Sequence, residues 1–359
     1  MRNENLLIFR IGHLGDTVVA LPALWALRDA FPNSKLTLLT NLDVRNPHFI
    51  SPRDVLPEKG LVDEWLTYPT NHGVVASAAG FIKLSLELRI RKFSAVIYLM
   101  PRIRTSAQIN RDVRFFEFSG IRKIFGTEYL LQNNLDAEIP KPTPSVETES
   151  DFLLHLLENE GLIEKDTVRK TDLLLTDEEI SMARERFKEA ATIGLTDRKL
   201  IAVAPGSKWD SKIWSEGRYA EVMARLIREF GCYPIIFGGS EDREKGERLV
   251  AGWKTGLNAA GILNIRESAA LLRDCRFYLG NDTGTMHLAA AVGTPCVAVF
   301  AAIDWKGRWS PFGDKNYIFR KSVECEGCLT ADCFNKHKCL DLIEIDEVHE
   351  ACARILATH

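Results

Sequence analysis

The sequence predicts an α/β fold of two domains built on doubly wound parallel sheets, and three observations carry that prediction. Short apolar runs such as Leu6–Phe9, Ile201–Ala204 and Cys296–Phe300 alternate with longer stretches of helical spacing. That is the pattern of strands buried on both faces by crossover helices. Polar, glycine-containing clusters follow several of these runs, at the carboxyl ends where open α/β sheets collect ligands. The length of 359 residues also exceeds what one hydrophobic core usually organises.

In chain order, Leu6–Phe9 opens as a buried strand and leads into Arg10-Ile-Gly-His-Leu-Gly-Asp-Thr17. A helix then carries Leu21, Leu24, Trp25 and Leu27 on one face, with Pro22 in its first turn, and ends at Phe31-Pro32. The glycines read G-x-x-G and not G-x-G-x-x-G, which weighs against a dinucleotide fingerprint. Asp16 is either a helix cap or a functional carboxylate. Leu36–Leu39 completes a β-α-β opening, and Leu42 to Val75 has no clear period. Phe81–Arg91 reads as an amphipathic helix and Ala95–Met100 as a strand.

From Lys83 to Lys123 ten basic residues meet three acidic ones, a local balance of +7 in a chain whose net charge is -3. Such a run is either a solvated face or a surface for an anionic acceptor or an anionic membrane. Arg102 and Arg104 directly follow a strand, so they are expected on the same carboxyl-end rim as Asp16, with Arg111 nearby. The acidic overall balance excludes a general nucleic-acid binder. The longest apolar run, Leu288 to Ile303, is broken by Gly293, Thr294 and Pro295, so no transmembrane helix is expected. The N-terminus leads into a strand without a signal-peptide pattern, and a cytoplasmic protein is expected.

Pro140 to Pro144 reads as an extended linker, and the domain change is expected between there and Lys199. Helices follow at Asp151–Asn159 and Asp177–Ala191. The second half then alternates regularly through Ile201–Ala204, Tyr219–Phe230, Tyr233–Phe237, Arg243–Val250, Ser268–Arg273 and Phe277–Leu279. The organising stretch is Gly280-Asn-Asp-Thr-Gly-Thr-Met-His-Leu-Ala-Ala-Ala291. A helix starting near Thr283 or Gly284 would aim free N–H groups and a positive dipole end at a phosphate. Pro205-Gly-Ser-Lys-Trp-Asp-Ser-Lys-Ile-Trp214 adds Ser207, Lys208 and Lys212, a phosphate pocket by composition but not a P-loop. Glu241 and Asp242, after Gly238-Gly239, suit ribose hydroxyls.

Four of the eight cysteines crowd into Cys325-x2-Cys328-x4-Cys333-x5-Cys339. This spacing reads as a structural zinc or iron site, or as structural thiols or disulfides. Cys232, Cys275, Cys296 and Cys352 read as small core residues.

The motifs Arg10-Ile-Gly-His-Leu-Gly-Asp16, Leu21-Pro-Ala-Leu24, Pro205 to Trp214 and Asn281-Asp-Thr-Gly-Thr-Met-His287 together resemble glycosyltransferase family 9. These are the ADP-heptose:lipopolysaccharide heptosyltransferases and their relatives. The resemblance implies a GT-B architecture, two Rossmann-like domains facing across a cleft. Residues 1–170 would bind the acceptor and 171–344 the nucleotide-sugar, while a C-terminal helix in 345–359 would cross back to the first domain.

The same resemblance implies an inverting, metal-independent transfer that requires no cofactor. The sugar would be heptose first, carried by ADP, and the acceptor a lipopolysaccharide or other surface glycan. Asp16 matches the general base. Lys212 matches the lysine on the diphosphate, with Ser207 beside it. Asp282, Thr283, Gly284 and His287 match the donor-binding turn, and Asp242 a carboxylate near the nucleotide, with Glu241 the alternative. His13, Arg102, Arg104 and Arg111 would meet an anionic glycolipid, with peripheral contact at the cytoplasmic face of the inner membrane. Lys208, Trp209 and Asp304 to Pro311 depart from the family pattern, which leaves the donor sugar open. A nucleotide-sugar epimerase and a non-catalytic nucleotide-sugar binder are the alternative readings.

Overall fold

The computed structural model describes residues 4–43, 45–46, 49–70, 74–136, 138–191 and 198–357, with backbone alone for 69–70 and 74–78. The chain divides into two compact units, one of residues 1–137 and 147–171, the other of 138–146 and 172–359.

The first unit contains β1 (Asn5–Phe9), α1 (Leu14–Val18), α2 (Leu21–Ala30), β2 (Lys35–Asp43), β3 (Glu64–Thr70) and α3 (Val74–Arg91). It continues with β4 (Ala95–Tyr98), α4 (Ser106–Phe118), β5 (Ile124–Phe125), α5 (Thr127–Asn133) and α6 (Glu149–Asn159). Among the described residues its strands form one parallel sheet in the order β3-β2-β1-β4-β5. Leu6, Leu7 and Ile8 of β1 are fully buried, as the continuous apolar run requires of a central strand. Thr105 and Thr148 start α4 and α6 by accepting backbone amides on their hydroxyls.

The second unit contains α7 (Asp177–Ala190), β6 (Leu200–Ala204), α8 (Glu216–Phe230), β7 (Tyr233–Ile236), α9 (Arg243–Trp253), β8 (Leu257–Asn258) and α10 (Ile265–Arg273). Then come β9 (Phe277–Asn281), α11 (Gly284–Ala291), β10 (Cys296–Val299), β11 (Tyr317–Phe319), α12 (Lys338–Asp341) and α13 (Ile345–Ala357). Its sheet is parallel, in the order β11-β10-β9-β6-β7-β8. Gly231 ends α8 in the left-handed conformation that glycine adopts without penalty. Cys232, Cys275, Cys296 and Cys352 are all buried and unpaired, as small core residues.

Two observations differ from the sequence expectation. The proline-dotted stretch is not a free linker: residues 138–146 lie on the second unit, where Ser145 bridges Lys306 and the Glu326 carboxylate accepts the Thr143 amide at 2.8 Å. The C-terminal helix α13, expected to cross back to the first domain, instead places Val348, Ala351, Cys352, Ile355 and Leu356 in the second unit's core beside α8. Its apolar stripe is satisfied there. Among the described residues no helix is long and apolar enough to cross a membrane.

Each strand order reverses direction once, between β1 and β4 in the first unit and between β9 and β6 in the second. Adjacent strands whose connections run to opposite sides leave a crevice beyond their carboxyl ends. Four of the polar motifs singled out in the sequence follow β1, β4, β6 and β9 and so stand at these two switch points, while Gly238 to Asp242 follows β7.

Candidate active site

The second unit's switch point is assembled around Asn281, the fully buried last residue of β9. Its side-chain oxygen accepts the Trp214 amide at 3.1 Å and the Tyr219 hydroxyl at 2.8 Å, and its amide group donates to the Gly206 carbonyl at 3.2 Å. One buried amide therefore pins both ends of the 206–214 loop to the neighbouring strand. Within that loop a short turn, Asp210–Lys212, aims Lys212 at Asp282: the ammonium lies 2.7 Å from the carboxylate. The pair is largely desolvated, with side chains 18% and 7% exposed. Trp209 lies under the same ammonium, 5.7 Å from ring centre to nitrogen.

Thr283 caps α11 through its backbone conformation without a side-chain cap bond, and Gly284 is the first helical residue. The amides of Met286 and His287 turn back to the Thr283 carbonyl. Those of Gly284 and Thr285 precede any intrahelical acceptor and project from the helix start. His287 is buried, its ring edge-to-face with Trp309 at 6.1 Å. Trp309 in turn donates to Asp304 at 2.8 Å, and Arg308 pairs with the same carboxylate at 3.3 Å. The divergent 304–311 segment is thus the wall behind the histidine, linking it to a buried polar network.

Asp242 occupies the gap between two glycine loops. A Cβ on Gly206 would lie 1.9 Å from its Oδ1, and one on Gly238 2.4 Å from its Oδ2. Glycine is required at both positions so that the carboxylate can sit against bare backbone. The Gly239 amide donates to it at 3.2 Å. Burial pushes the Asp242 carboxyl above its ordinary pKa, and nearby Lys245 pulls the other way. Ser207 accepts the Trp209 amide at 3.1 Å, whereas Lys208 and Glu241 are exposed.

The structure therefore joins Lys212 to Asp282 directly, and Asp242 to Asn281 through Gly206. Asn281, Tyr219 and Gly206 were not singled out individually in the sequence. The signal for Asn281 was a polar side chain ending an otherwise apolar strand.

The cysteine-rich segment braces the same lysine turn. Ser211, 1% exposed, donates its hydroxyl to the Thr330 carbonyl at 2.6 Å and its amide to the Ala331 carbonyl at 2.9 Å. His337 pairs with Asp210 at 3.0 Å. Cys325, Cys328, Cys333 and Cys339 line one small cavity and are not joined in disulfides. Each sulfur accepts a hydrogen bond, from Asn335, Thr330, the His337 amide and the Ala302 amide respectively. Among the described residues no three histidine, cysteine or carboxylate side chains are arranged to hold a metal ion.

In the first unit Arg10, 2% exposed, plays the part that Asn281 plays in the second. Its guanidinium donates to the Leu99 carbonyl after β4 and to the Asp16 carbonyl after β1, tying the two switch-point loops together. Asp16 is the third residue of α1. One carboxylate oxygen accepts the His13 amide at 3.0 Å, and the other lies 3.9 Å from Arg10. The side chain is 26% exposed. It is therefore partly engaged as a cap, with an edge open to solvent. Gly12, at φ +140°, lets the loop pass so close that a Cβ there would be 2.3 Å from that of Asp16. His13 is exposed and packs edge-on against Phe49 at 4.8 Å.

The three arginines expected on this rim are not alike. Arg102 is buried, bonded to the Asn133 carbonyl, 3.6 Å from Glu147 and stacked on Phe152. Arg104 is held by Asp112 and by the Tyr98 hydroxyl at 2.6 Å. Both are internal ties of the 101–105 loop, because a buried guanidinium is retained only with acceptors around it. Arg111 shares Asp112 at 2.9 Å but leaves 68% of its side chain exposed, so its charge reaches solvent.

Residues 82–339 match the profile of the family described as glycosyltransferase family 9 (heptosyltransferase). A lipooligosaccharide heptosyltransferase 2 of Haemophilus influenzae is 26% identical over 330 residues, covering 88% of this chain and 88% of that one. A solved glycosyl transferase family 9 protein from Veillonella parvula superposes with a TM-score of 0.77 at 21% identity, over 100% of this chain and 99% of the other. The E. coli ADP-heptose LPS heptosyltransferase II gives 0.69 at 20% identity, over 99% of each chain.

Proposed function

The chain belongs to glycosyltransferase family 9, and from that premise we propose that this GT-B glycosyltransferase moves heptose from ADP-heptose to the core of a lipopolysaccharide-type glycolipid. The observation that carries the donor side is the Lys212–Asp282 pair at the start of α11. A diphosphate brought there finds the lysine and two projecting backbone amides. Both interactions strengthen as negative charge grows on the leaving group, which makes them transition-state contacts. Asp242 receives the ribose hydroxyls, and the wall formed by His287 and residues 304–311 meets the sugar.

On the acceptor side, Asp16 takes the proton. The acceptor hydroxyl oxygen bonds to the anomeric carbon, the bond from that carbon to the diphosphate oxygen breaks, and the hydroxyl proton passes to the carboxylate. Displacement from the opposite face inverts the anomeric centre. An aspartate is a weak base at its ordinary pKa, so it contributes chiefly by position and by late proton transfer. Lys212 and the helix start supply positive charge to the leaving group, so the scheme assigns no step to a divalent ion. Arg111, with its exposed guanidinium, is the arginine best placed to meet an anionic acceptor.

A thermal-shift screen with ADP-, GDP-, UDP- and dTDP-sugars, followed by transfer to a heptose-deficient core glycolipid in the presence of a chelator, tests the proposal. ADP-heptose should give the largest shift and a product of inverted anomeric configuration, with full activity under chelation. A shift confined to another nucleotide sugar would replace the donor. Retained configuration would refute the single displacement.

A further inference from the structure

Helix α3 is apolar on two opposite sides, and only one of them is covered. Leu84, Ser85 and Leu88 face inward and are 5%, 3% and 0% exposed. Ile82, Leu86 and Ile90, spaced four apart, fall on the far side and are 61%, 57% and 78% exposed. Together with Ala79, Lys83, Glu87 and Arg91 they line an open groove along the helix. Phe118, 65% exposed, extends the apolar surface: Arg89 stacks over its ring at 5.1 Å and bonds its carbonyl. A surface helix ordinarily carries one apolar stripe, turned to the core. A second stripe of three large aliphatics and a phenylalanine needs a partner of its own.

Charge identifies the partner. Lys92 follows α3 directly. The register Val96↔Ile124, with the Val96 amide on the Lys123 carbonyl, sets Arg122 and Lys123 beside the start of β4, a few residues along the chain from Lys92. Lys83, Lys92, Arg122 and Lys123 make no ion pair among the described residues, and all four are exposed. The nearby carboxylates Glu87 and Glu64 are consumed by Arg91 and Lys35. Aliphatic and aromatic side chains flanked by unpaired cations are the composition that inserts shallowly into an anionic lipid surface.

We propose that this face of α3, with Phe118 and the Lys92, Arg122 and Lys123 edge, docks the protein on an anionic phospholipid bilayer, the apolar stripe entering the headgroup boundary. The proposal draws on exposure and charge and not on the transfer reaction. It would bring the enzyme to the surface that carries a glycolipid acceptor.

The test is co-sedimentation of the full-length protein, without donor or acceptor, with vesicles of phosphatidylcholine and phosphatidylglycerol at 3:1, and with pure phosphatidylcholine. Binding should require the anionic lipid and weaken with salt. The triple variant I82S/L86S/I90S should lower the partition coefficient by more than about tenfold. K92Q/R122Q/K123Q should lower it by about 100-fold, from roughly 1 kcal/mol per cation. Circular dichroism and thermal melting, expected to match wild type because all six positions are exposed, show that the variants are folded. Absence of vesicle binding by the wild-type chain overturns the proposal. So does a concentration-dependent dimer in sedimentation velocity that the stripe variant abolishes, since a second copy would then cover the stripe. Failure of transfer with intact vesicle binding would instead count against the proposed reaction alone.

Discussion

Removing Lys212 separates the role the structure shows, partner of a buried carboxylate, from the role proposed for it, cation for a diphosphate. In Lys212→Met the Asp282 carboxylate, 7% exposed, loses the ammonium at 2.7 Å. Breaking a buried pair from one side costs about 3–5 kcal/mol. The low end applies, because Lys212 is 18% exposed and Asp282 stands beside a helix N-terminus that itself favours an anion. A loss of about 3 kcal/mol in a unit of this size lowers its melting temperature by about 6–12 °C. The double variant K212M/D282N leaves no uncompensated charge and should recover most of that loss. Nucleoside-diphosphate affinity behaves differently. The charge-assisted contact is worth about 1.5–3 kcal/mol, so Kd should rise about 10- to 150-fold in the single variant and stay raised in the double one. Asp282→Asn alone frees the lysine from its competitor, and donor affinity should hold or improve. Calorimetric titration with ADP beside thermal melting reads both quantities. If the double variant regains ADP affinity along with stability, Lys212 is a structural tie and the donor assignment fails.

Two further outcomes follow from the same geometry. Asp16→Asn keeps an oxygen to accept the His13 amide but loses the basic lone pair, so turnover should fall roughly 10²–10⁴-fold at near wild-type melting temperature, read by a coupled ADP-release assay; equal losses of stability and activity would make it only a helix cap. Burial raises the Asp242 carboxyl above its ordinary value of 3.8, so its ionisation costs the folded state stability that is intact below that value and lost as pH rises through the raised one. Asp242→Asn should therefore melt progressively higher than wild type as pH climbs from about 3.5 to 7, provided that the Gly239 amide keeps its acceptor, and a pH-independent difference would contradict the assigned cause.

The sequence made the central strands and the loops behind them legible for a physical reason. A parallel strand buried on both faces is a continuous apolar run, and β1, β6 and β9 are such runs, each ending at a polar motif. Edge elements carry weaker signals. β3, Glu-Trp-Leu-Thr-Tyr-Pro-Thr, contains a proline and among the described residues pairs with β2 alone, so it left no periodic trace in the stretch from 42 to 75. Residues 44, 47–48 and 71–73 of that stretch lie outside the described residues. α4 was missed because its buried positions, Ile109, Asp112 and Phe116, include a carboxylate held by Arg104, Arg111 and Tyr98. Charge counting likewise could not distinguish Arg104 from Arg111. Both read as +1 in sequence, but only a tertiary partner decides which charge is spent inside.

The two switch points share a device that no local motif announces. In each, a buried polar side chain at the end of one strand fastens the loop of the strand next to it: Arg10 to the Leu99 carbonyl, Asn281 to Gly206 and Trp214. The polar loops at such a crevice gain little from hydrophobic burial, so without these ties their conformational entropy would be lost only on binding. The second unit adds another layer, since Ser211 and Asp210 anchor the lysine turn to residues 330–337. The cysteine-rich segment, four sulfurs around one cavity and each hydrogen-bonded, is thus the foundation on which Lys212 is aimed. In the proposed reaction, pre-organisation of this kind would let a single lysine and two backbone amides meet a diphosphate without first ordering the loop that carries them.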